Sequence, residues 1–357
     1  MSRVYYVKLK RGEERSSVIK KTIKTLEKAP FLDLIKDTDL VGIKIHFGEK
    51  GNKGHIQADI VRHIADLLKK KSQRVFVTDT NTLYIGCRSN SVDHIKIAAR
   101  HGFSLENIGI PVIIADGLTG RNFKAVGIDG GHLKSVKIAS DIAHSDFFLC
   151  LSHMTGHMQT GFGATIKNLG MGCASRAGKL EQHSNVLPEV SPAKCIGCGI
   201  CLKWCPADAI LLEGHKAIII KNKCIGCGEC TVACKIGAIE TKWSESIKVL
   251  QEKMAEYALG VVKTLTPEKM YYLNFLTHIT KDCDCMAKDE PPICEDLGIM
   301  ASTDPVAVDQ ASVDMLLKIN GNDIFKKGYP DIDWSIQLKY AESIGLGSTN
   351  YELETLT

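Results

Sequence analysis

Eight of the 14 cysteines in this 357-residue chain fall between Cys195 and Cys234. They form two copies of one pattern. CIGCGICLKWCPADAI at 195–210 returns 29 positions later as CIGCGECTVACKIGAI at 224–239, with nine of 16 positions identical. Each copy reads C-x-x-C-x-x-C-x-x-x-C. Three thiolates on one short loop suit three irons of a cubane, and the fourth iron must be reached from elsewhere. In two-cluster proteins with this spacing, the last Cys of each run serves the other cluster. The spacing therefore assigns Cys195, Cys198, Cys201 and Cys234 to one [4Fe–4S] cluster, and Cys224, Cys227, Cys230 and Cys205 to a second. Zinc is the competing reading, but it uses four ligands per site, usually as two separated Cys/His pairs. Two complete four-cysteine runs fit iron–sulfur better. The chemistry expected is one-electron transfer.

Three other segments concentrate reactive side chains. The first holds Lys44, His46, Glu49, Lys50 and His55 among Gly48, Gly51 and Gly54. The second is Asp79-Thr80-Asn81-Thr82 with Tyr84. The third runs from Ser152-His153 through His157 to Lys167-Asn168. Lys44, His46, His153 and His157 are the candidates for proton transfer or for binding an anionic group, although a lone histidine is more often a structural hydrogen-bonder. His153 and His157 are four apart, the spacing of metal ligands on a helix. Gly156 lies between them, however, and no acidic third ligand is near in sequence. The glycine-rich stretch 161–170 suits an anion at a helix start, with Lys167 and Asn168 as its candidate binders. It matches neither common nucleotide-binding glycine motif.

The remaining cysteines are weaker signals. Cys283 and Cys285, in Asp282-Cys283-Asp284-Cys285, form with Cys294 a group that is either packing and loop cysteine or a further metal site; the first is commoner. Cys150 lies in an apolar run and reads as core, Cys87 is isolated, and Cys173 beside the Gly/His segment is the thiol to test for reactivity. Lys235 stands where the second cysteine run lacks the proline of the first, and is expected at the surface.

These residues need elements to position them. Strand-like runs occur at Val4–Leu9, Leu40–Phe47, Arg74–Asp79, Pro111–Ala115, Asp146–Leu151 and Met270–Thr277. Between them, helical patterns occupy 15–28, His55–Lys71, with an apolar stripe at Ile60, Ile64, Leu67 and Leu68, and Ser91–His101. Later helices are expected at Trp243–Leu259 and after Asp304-Pro305, an N-cap followed by a pre-organised first position. This rhythm predicts an α/β host domain with a mixed or parallel sheet. The host comprises 1–190 and 241–357, interrupted at 191–240 by a small α+β ferredoxin-like module. All three reactive segments follow strands. Ligands of open α/β sheets bind beyond the carboxyl ends of strands, so the segments are expected to line one crevice.

Composition narrows the partners. Lys and Arg number 45 against 41 Asp and Glu, which gives no reason to expect nucleic acid. No apolar run reaches the 18 residues or so of a membrane span, and the start lacks a signal-peptide core. A cytoplasmic protein with reduced thiols is expected.

The cysteine module resembles bacterial-type two-cluster ferredoxins. The whole chain resembles the domain of unknown function 362 family of prokaryotic iron–sulfur proteins, through GIKIHFGE, HMTGH…TGFGATIKNLGMG, DCDC and GIMASTDPVAVDQASVD. That resemblance implies the cofactor but no reaction, and a distant similarity to the lactate-racemase-like fold adds only analogy. Three functions are consistent with these readings. The first is an oxidoreductase that passes electrons from a soluble donor through the clusters to a small molecule or additional cofactor in the crevice. The second is a carrier that docks a protein electron donor or acceptor without substrate chemistry. The third is a cofactor-assembly or metal-delivery factor, with Cys283, Cys285 and Cys294 as transient ligands.

Overall fold

The computed structural model describes residues 1–184, 187–241 and 245–356. Its frame is one eight-stranded sheet. The strands are β1 (Ser2–Lys8), β2 (Val41–Lys44), β3 (Val75–Asp79), β4 (Val112–Ile114), β5 (Phe147–His153), β6 (Met270–Leu276), β7 (Gly298–Ser302) and β8 (Tyr351–Thr355). Their order across the sheet is β8-β1-β7-β6-β5-β2-β3-β4. Every pairing is parallel except those of β7 with β1 and β6, so β7 alone runs against the rest.

The central strands are continuous apolar runs because both faces are covered. Alternate residues enter opposite cores. Phe148, Cys150, Met270 and Tyr272 join one core, while Phe147, Leu149, Leu151, Tyr271 and Leu273 join the other. The second core is covered by α1 (Arg15–Leu26), α2 (Ala58–Leu68) and α3 (Ser91–Arg100). The first is covered by α4 (Thr165–Gly170), α6 (Ile247–Leu265) and α7 (Pro305–Asn320), with α5 (Arg176–His183) packed beside α6. Asp304 caps α7 as expected, its Oδ1 accepting from the Val306 and Ala307 amides at 2.8 and 3.0 Å.

Several expectations shift in extent. The predicted Leu40–Phe47 strand is limited to Val41–Lys44; the Ile45 amide adds one bond to the Thr78 carbonyl at 3.1 Å, and Ile45 and Phe47 still join the core. The expected Trp243–Leu259 helix runs over Ile247–Leu265, and Trp243 lies outside the described residues. Strands β7 and β8 carried no expectation. Nor did the hairpin of Phe123–Gly127 with Ser135–Ala139, whose first strand is largely exposed.

Residues on both sides of the cysteine segment belong to the same sheet, β6 lying directly against β5. Within the segment, Glu189–Val190 pairs antiparallel with Ile239–Glu240, so the chain enters and leaves it at one place. A hairpin of Ile210–Glu213 with Lys216–Ile219 and two short helices, Ile200–Trp204 and Glu229–Ala233, complete it.

Candidate functional site

The two cysteine runs cross in space. One small cavity is lined by Cys195, Cys198, Cys201 and Cys234, and another by Cys205, Cys224, Cys227 and Cys230. None of the eight is in a disulfide. Backbone amides point at the sulfurs: Ala209 donates to Cys205 Sγ at 3.2 Å, Ala238 to Cys234 Sγ at 3.1 Å and Ala217 to Cys195 Sγ at 3.4 Å. Gly197 has φ +70°, and a Cβ there would lie 2.4 Å from the His215 carbonyl oxygen, so the loop demands glycine. Four thiols per cavity, with amide donors to offset thiolate charge, fit the donor set of a cubane cluster.

The second cysteine cavity abuts the loop after β3 and the start of α5. Thr231 Oγ1 lies 3.4 Å from the Leu83 carbonyl oxygen, and Gly228 packs against the Leu83 and Arg176 side chains. Arg121 pairs with Glu229 at 3.3 Å. Leu83 in turn lines a host cavity of about 510 Å³.

That host cavity lies at the carboxyl ends of β2, β3 and β5, whose last residues are Lys44, Asp79 and His153. The three reactive segments converge here. Lys44, His46, Asp79, Thr80, Thr82, Tyr84, Ser152, His153, His157, Thr160, Lys167 and Asn168 all line it. His55 does not. It stacks on His101, ring centroids 4.5 Å apart, in a larger cleft of about 990 Å³ that shares only His153 with this cavity. The smaller cavity is the better candidate, because buried ionisable groups gather in it.

Each group there has a distinct state. Lys44 is fully buried, and its Nζ meets Asp79 Oδ1 at 2.9 Å, Asn168 Oδ1 at 2.7 Å and the Ile45 carbonyl at 3.2 Å. Burial opposes the Asp79 charge, but Lys44 and His94 outweigh it and hold this carboxyl well below its ordinary range. Asn168 is equally engaged, its Nδ2 donating to the Leu151 carbonyl at 2.8 Å and Ser152 Oγ at 3.0 Å. These two residues brace the site rather than present free groups to a ligand.

The histidines divide. His46 accepts from the Gly48 amide at Nδ1, 3.0 Å, and burial, then the Arg88 charge, keep it neutral by lowering its pKa far below the ordinary value. His153 spends both nitrogens, on Asp284 Oδ2 and the Thr277 carbonyl, each at 2.8 Å. Burial disfavours its charge, but Asp284 more than compensates and its pKa is raised. His157 is neutral, its pKa lowered first by burial and then by Lys167. The pair is not on a helix: His153 ends β5 and His157 ends the short strand Thr155–His157. With both nitrogens of His153 engaged, the two histidines do not form a metal pair; Asp284 meets His153 as a hydrogen-bond partner.

Helix α4 corrects another expectation. Its first amides, at Thr165 and Ile166, donate to the Asp309 carboxylate at 2.9 and 2.8 Å. This helix start is therefore already capped. What remains for an anion is Lys167, which lines the cavity with no ion-pair or hydrogen-bond partner among the described residues. Burial lowers its pKa to about 8.

Two cationic cavity residues carried no expectation. Arg88 bonds Glu49 at 3.1 Å and approaches Asp79 at 3.8 Å. Lys179 donates to Thr80 Oγ1 and the Ala174 carbonyl, both at 2.6 Å, and burial lowers its pKa to about 8. Neither sits in a motif; their position after β3 and on α5 was the only signal. Cys173, in contrast, is fully buried, its thiol pushed far up by burial, and Cys294 stands outside the cavity. Lys235 is exposed.

Residues 41–314 match the family described as "Domain of unknown function (DUF362)". No curated protein matches the chain. Among solved structures, the lactate racemase apoprotein from Thermoanaerobacterium thermosaccharolyticum aligns with TM-score 0.38 at 12% identity, covering 76% of this chain and 50% of that one. A structural-genomics target protein from Thermotoga maritima aligns with TM-score 0.46 at 9% identity, covering 87% and 60%. The chain thus spans half to three fifths of these structures, and no residue role is carried over from either. No helix among the described residues is long and apolar enough to cross a membrane.

Proposed function

The chain belongs to the domain of unknown function 362 family, and we propose that it is an iron–sulfur oxidoreductase acting on an anionic small molecule held in the host cavity. In this reading residues 191–240 are a ferredoxin-like module inserted in the host, and a soluble protein supplies or accepts its electrons. The observation that carries the reading is the sorting of eight unoxidised cysteines into two groups of four, with the second group packed against Leu83 at the cavity wall. Each group would hold one [4Fe–4S] cluster, whose chemistry is the transfer of single electrons.

The chain's own residues account for the ligand class. Lys44, Arg88 and His153 have acidic partners at Asp79, Glu49 and Asp284. Lys167 and Lys179 have no carboxylate within salt-bridge distance among the described residues; Asp284 and Asp116 act on them only from farther away, and the cavity lining carries more cationic than acidic side chains. A buried cation without a counter-ion is costly, and an anion relieves that cost. Lys167 binds the anion and, with a pKa of about 8, also gives or takes a proton near neutral pH. His46 lines the same cavity as a neutral imidazole.

Anaerobic purification followed by iron and sulfide analysis and redox titration tests this. The expected content is about eight irons per chain, with spectra that respond to a bound carboxylate or phosphate. A protein lacking iron, or clusters indifferent to every anion tried, would sink the reading.

A further inference from the structure

We propose that Cys283, Cys285 and His157 form a separate metal site, a three-ligand site for a zinc-class divalent cation with its open position facing the host cavity. The ligand geometry stands independently of the oxidoreductase reading. Only the physiological reductant named below rests on that reading.

One ligand atom from each of the three residues lies within 4.8 Å of the other two. All three residues line the host cavity. They come from two segments that hold each other in place. The Gly156 amide donates to the Thr280 carbonyl at 2.9 Å, and a Cβ on Gly156 would lie 2.2 Å from the Lys281 carbonyl oxygen. Glycine between the two histidines is thus what lets the hairpin bearing His157 sit on the loop bearing the cysteines. The loop is tied down further by His153 on Asp284 at 2.8 Å, by the Glu49 amide on the Asp284 carbonyl at 2.9 Å and by the Met286 amide on the Cys283 carbonyl at 2.9 Å.

His157 also has the supporting contact that metal-binding imidazoles usually show. Thr160 Oγ1 lies 2.9 Å from His157 Nδ1 and donates its own proton to the Phe162 carbonyl at 2.7 Å. The Gln159 amide also donates to Nδ1, at 3.3 Å. With Nδ1 held by Thr160 and Gln159, Nε2 is the nitrogen left for a metal. Two sulfurs and one imidazole nitrogen suit zinc and similar borderline-soft ions, and three protein ligands with an open fourth position are typical of catalytic rather than structural zinc.

Cys283 and Cys285 are joined by a disulfide here. Coordination of a metal through both sulfurs requires this bond to open. Cleavage of the S–S bond takes two electrons and two protons and yields two thiols. Metal binding then releases both protons as the thiolates coordinate. The reductant is a low-potential iron–sulfur carrier delivering two electrons in succession, the module at 191–240 on the reading above, and a phosphine replaces it in vitro.

The test uses the full chain, purified anaerobically. One sample is reduced with a phosphine and one is not. Both are equilibrated with Zn²⁺ and desalted, and zinc and iron are counted together. The reduced wild type is expected to carry about one more zinc per chain than the reduced Cys283→Ser/Cys285→Ser variant, and more than the unreduced wild type. His157→Ala, which leaves the loop intact, is expected to lower zinc affinity at least tenfold, and Thr160→Val by roughly tenfold. Equal zinc in wild type and the double variant, uptake indifferent to reduction, or unaltered affinity in His157→Ala would each overturn the proposal. The iron count separates the two readings. Iron without the zinc difference rejects this site alone, whereas the zinc difference without iron upholds it and rejects the oxidoreductase.

Discussion

The guanidinium of Arg176 meets the carboxylate of Glu229 at 3.2 Å, with both side chains fully buried. The pair joins the start of α5 to the short helix Glu229–Ala233 beside the second cysteine group. Arg176 Nε also donates to the Thr82 carbonyl at 3.1 Å, and its other nitrogens reach the Thr119 and Ser89 carbonyls. One residue therefore fastens the cysteine module, the loop after β3 and the cavity wall together. Removing one partner of such a pair typically costs ~3–5 kcal/mol, because the other charge is left buried. Glu229→Ala should lower the unfolding midpoint accordingly and slow electron delivery to the cavity, while anion affinity measured by calorimetry stays near wild type.

The crossing of the cysteine runs has its own signature. Cys205 belongs to the first run by sequence but lines the cavity of the second. If each group holds a cluster as proposed, Cys205→Ala should disrupt the one assigned to Cys224, Cys227 and Cys230, lowering iron from about eight to about four per chain. Electron paramagnetic resonance of the reduced protein should then show one cluster without coupling to a second. Loss of the cluster at Cys195, Cys198 and Cys201 instead would contradict the assignment.

Helix α4 depends on a residue far away in sequence. Asp309 satisfies two of its first amides and also accepts from Asn274 Nδ2 at 2.7 Å. Asp309→Ala leaves these buried donors unpaired, at about 1–3 kcal/mol for each. Because α4 carries Lys167, the variant should both melt earlier and bind the anion more weakly. Thermal unfolding and calorimetry on one preparation check both outcomes.

Anion binding should depend on alkaline pH. Lys167 and Lys179 have folded pKa values of about 8, lowered by burial from an ordinary value of 10.5. Below about pH 8 both are charged and the anion binds fully. Above it the affinity falls, by up to tenfold per pH unit for each lysine required. Lys167→Met should weaken binding at pH 7 and remove one of the two titrations. For stability the sign is opposite. The unfolded chain holds these protons more tightly, so between pH 8 and 10.5 the lysines add stability as pH rises. A binding curve flat across pH 8 would count against Lys167 as the anion's partner.

Thiol reactivity should follow burial. Cys150 and Cys173 are fully buried, and burial pushes the Cys150 thiol up to about 12 and Cys173 higher still. Neither should be alkylated in the native protein at pH 8, since the thiolate is the reactive form. Peptide mass mapping after iodoacetamide treatment, with and without denaturant, measures this directly.

What could be read from the sequence was what depends on local spacing. The four-and-four division of the cysteines follows from loop geometry within about 40 residues, and the apolar runs of β2, β3 and β5 announce strands buried on both faces. Placing Lys44, Asp79 and His153 at neighbouring strand ends then needed only the general rule for parallel sheets. The other half of the site is built from contacts between distant segments. Asp284 reaches His153 across 131 positions, Asp309 caps α4 across 144, and Asn168 takes Lys44 across 124. No periodicity encodes such meetings. Tertiary structure alone decided that Lys167 has no ion-pair partner among the described residues, that Asp309 occupies the helix start, and that His157 faces Cys283 and Cys285 rather than pairing with His153. The physical reason is that burial makes each charge find a partner, and only the packing of loops from different strands determines which charges are already satisfied and which await a ligand.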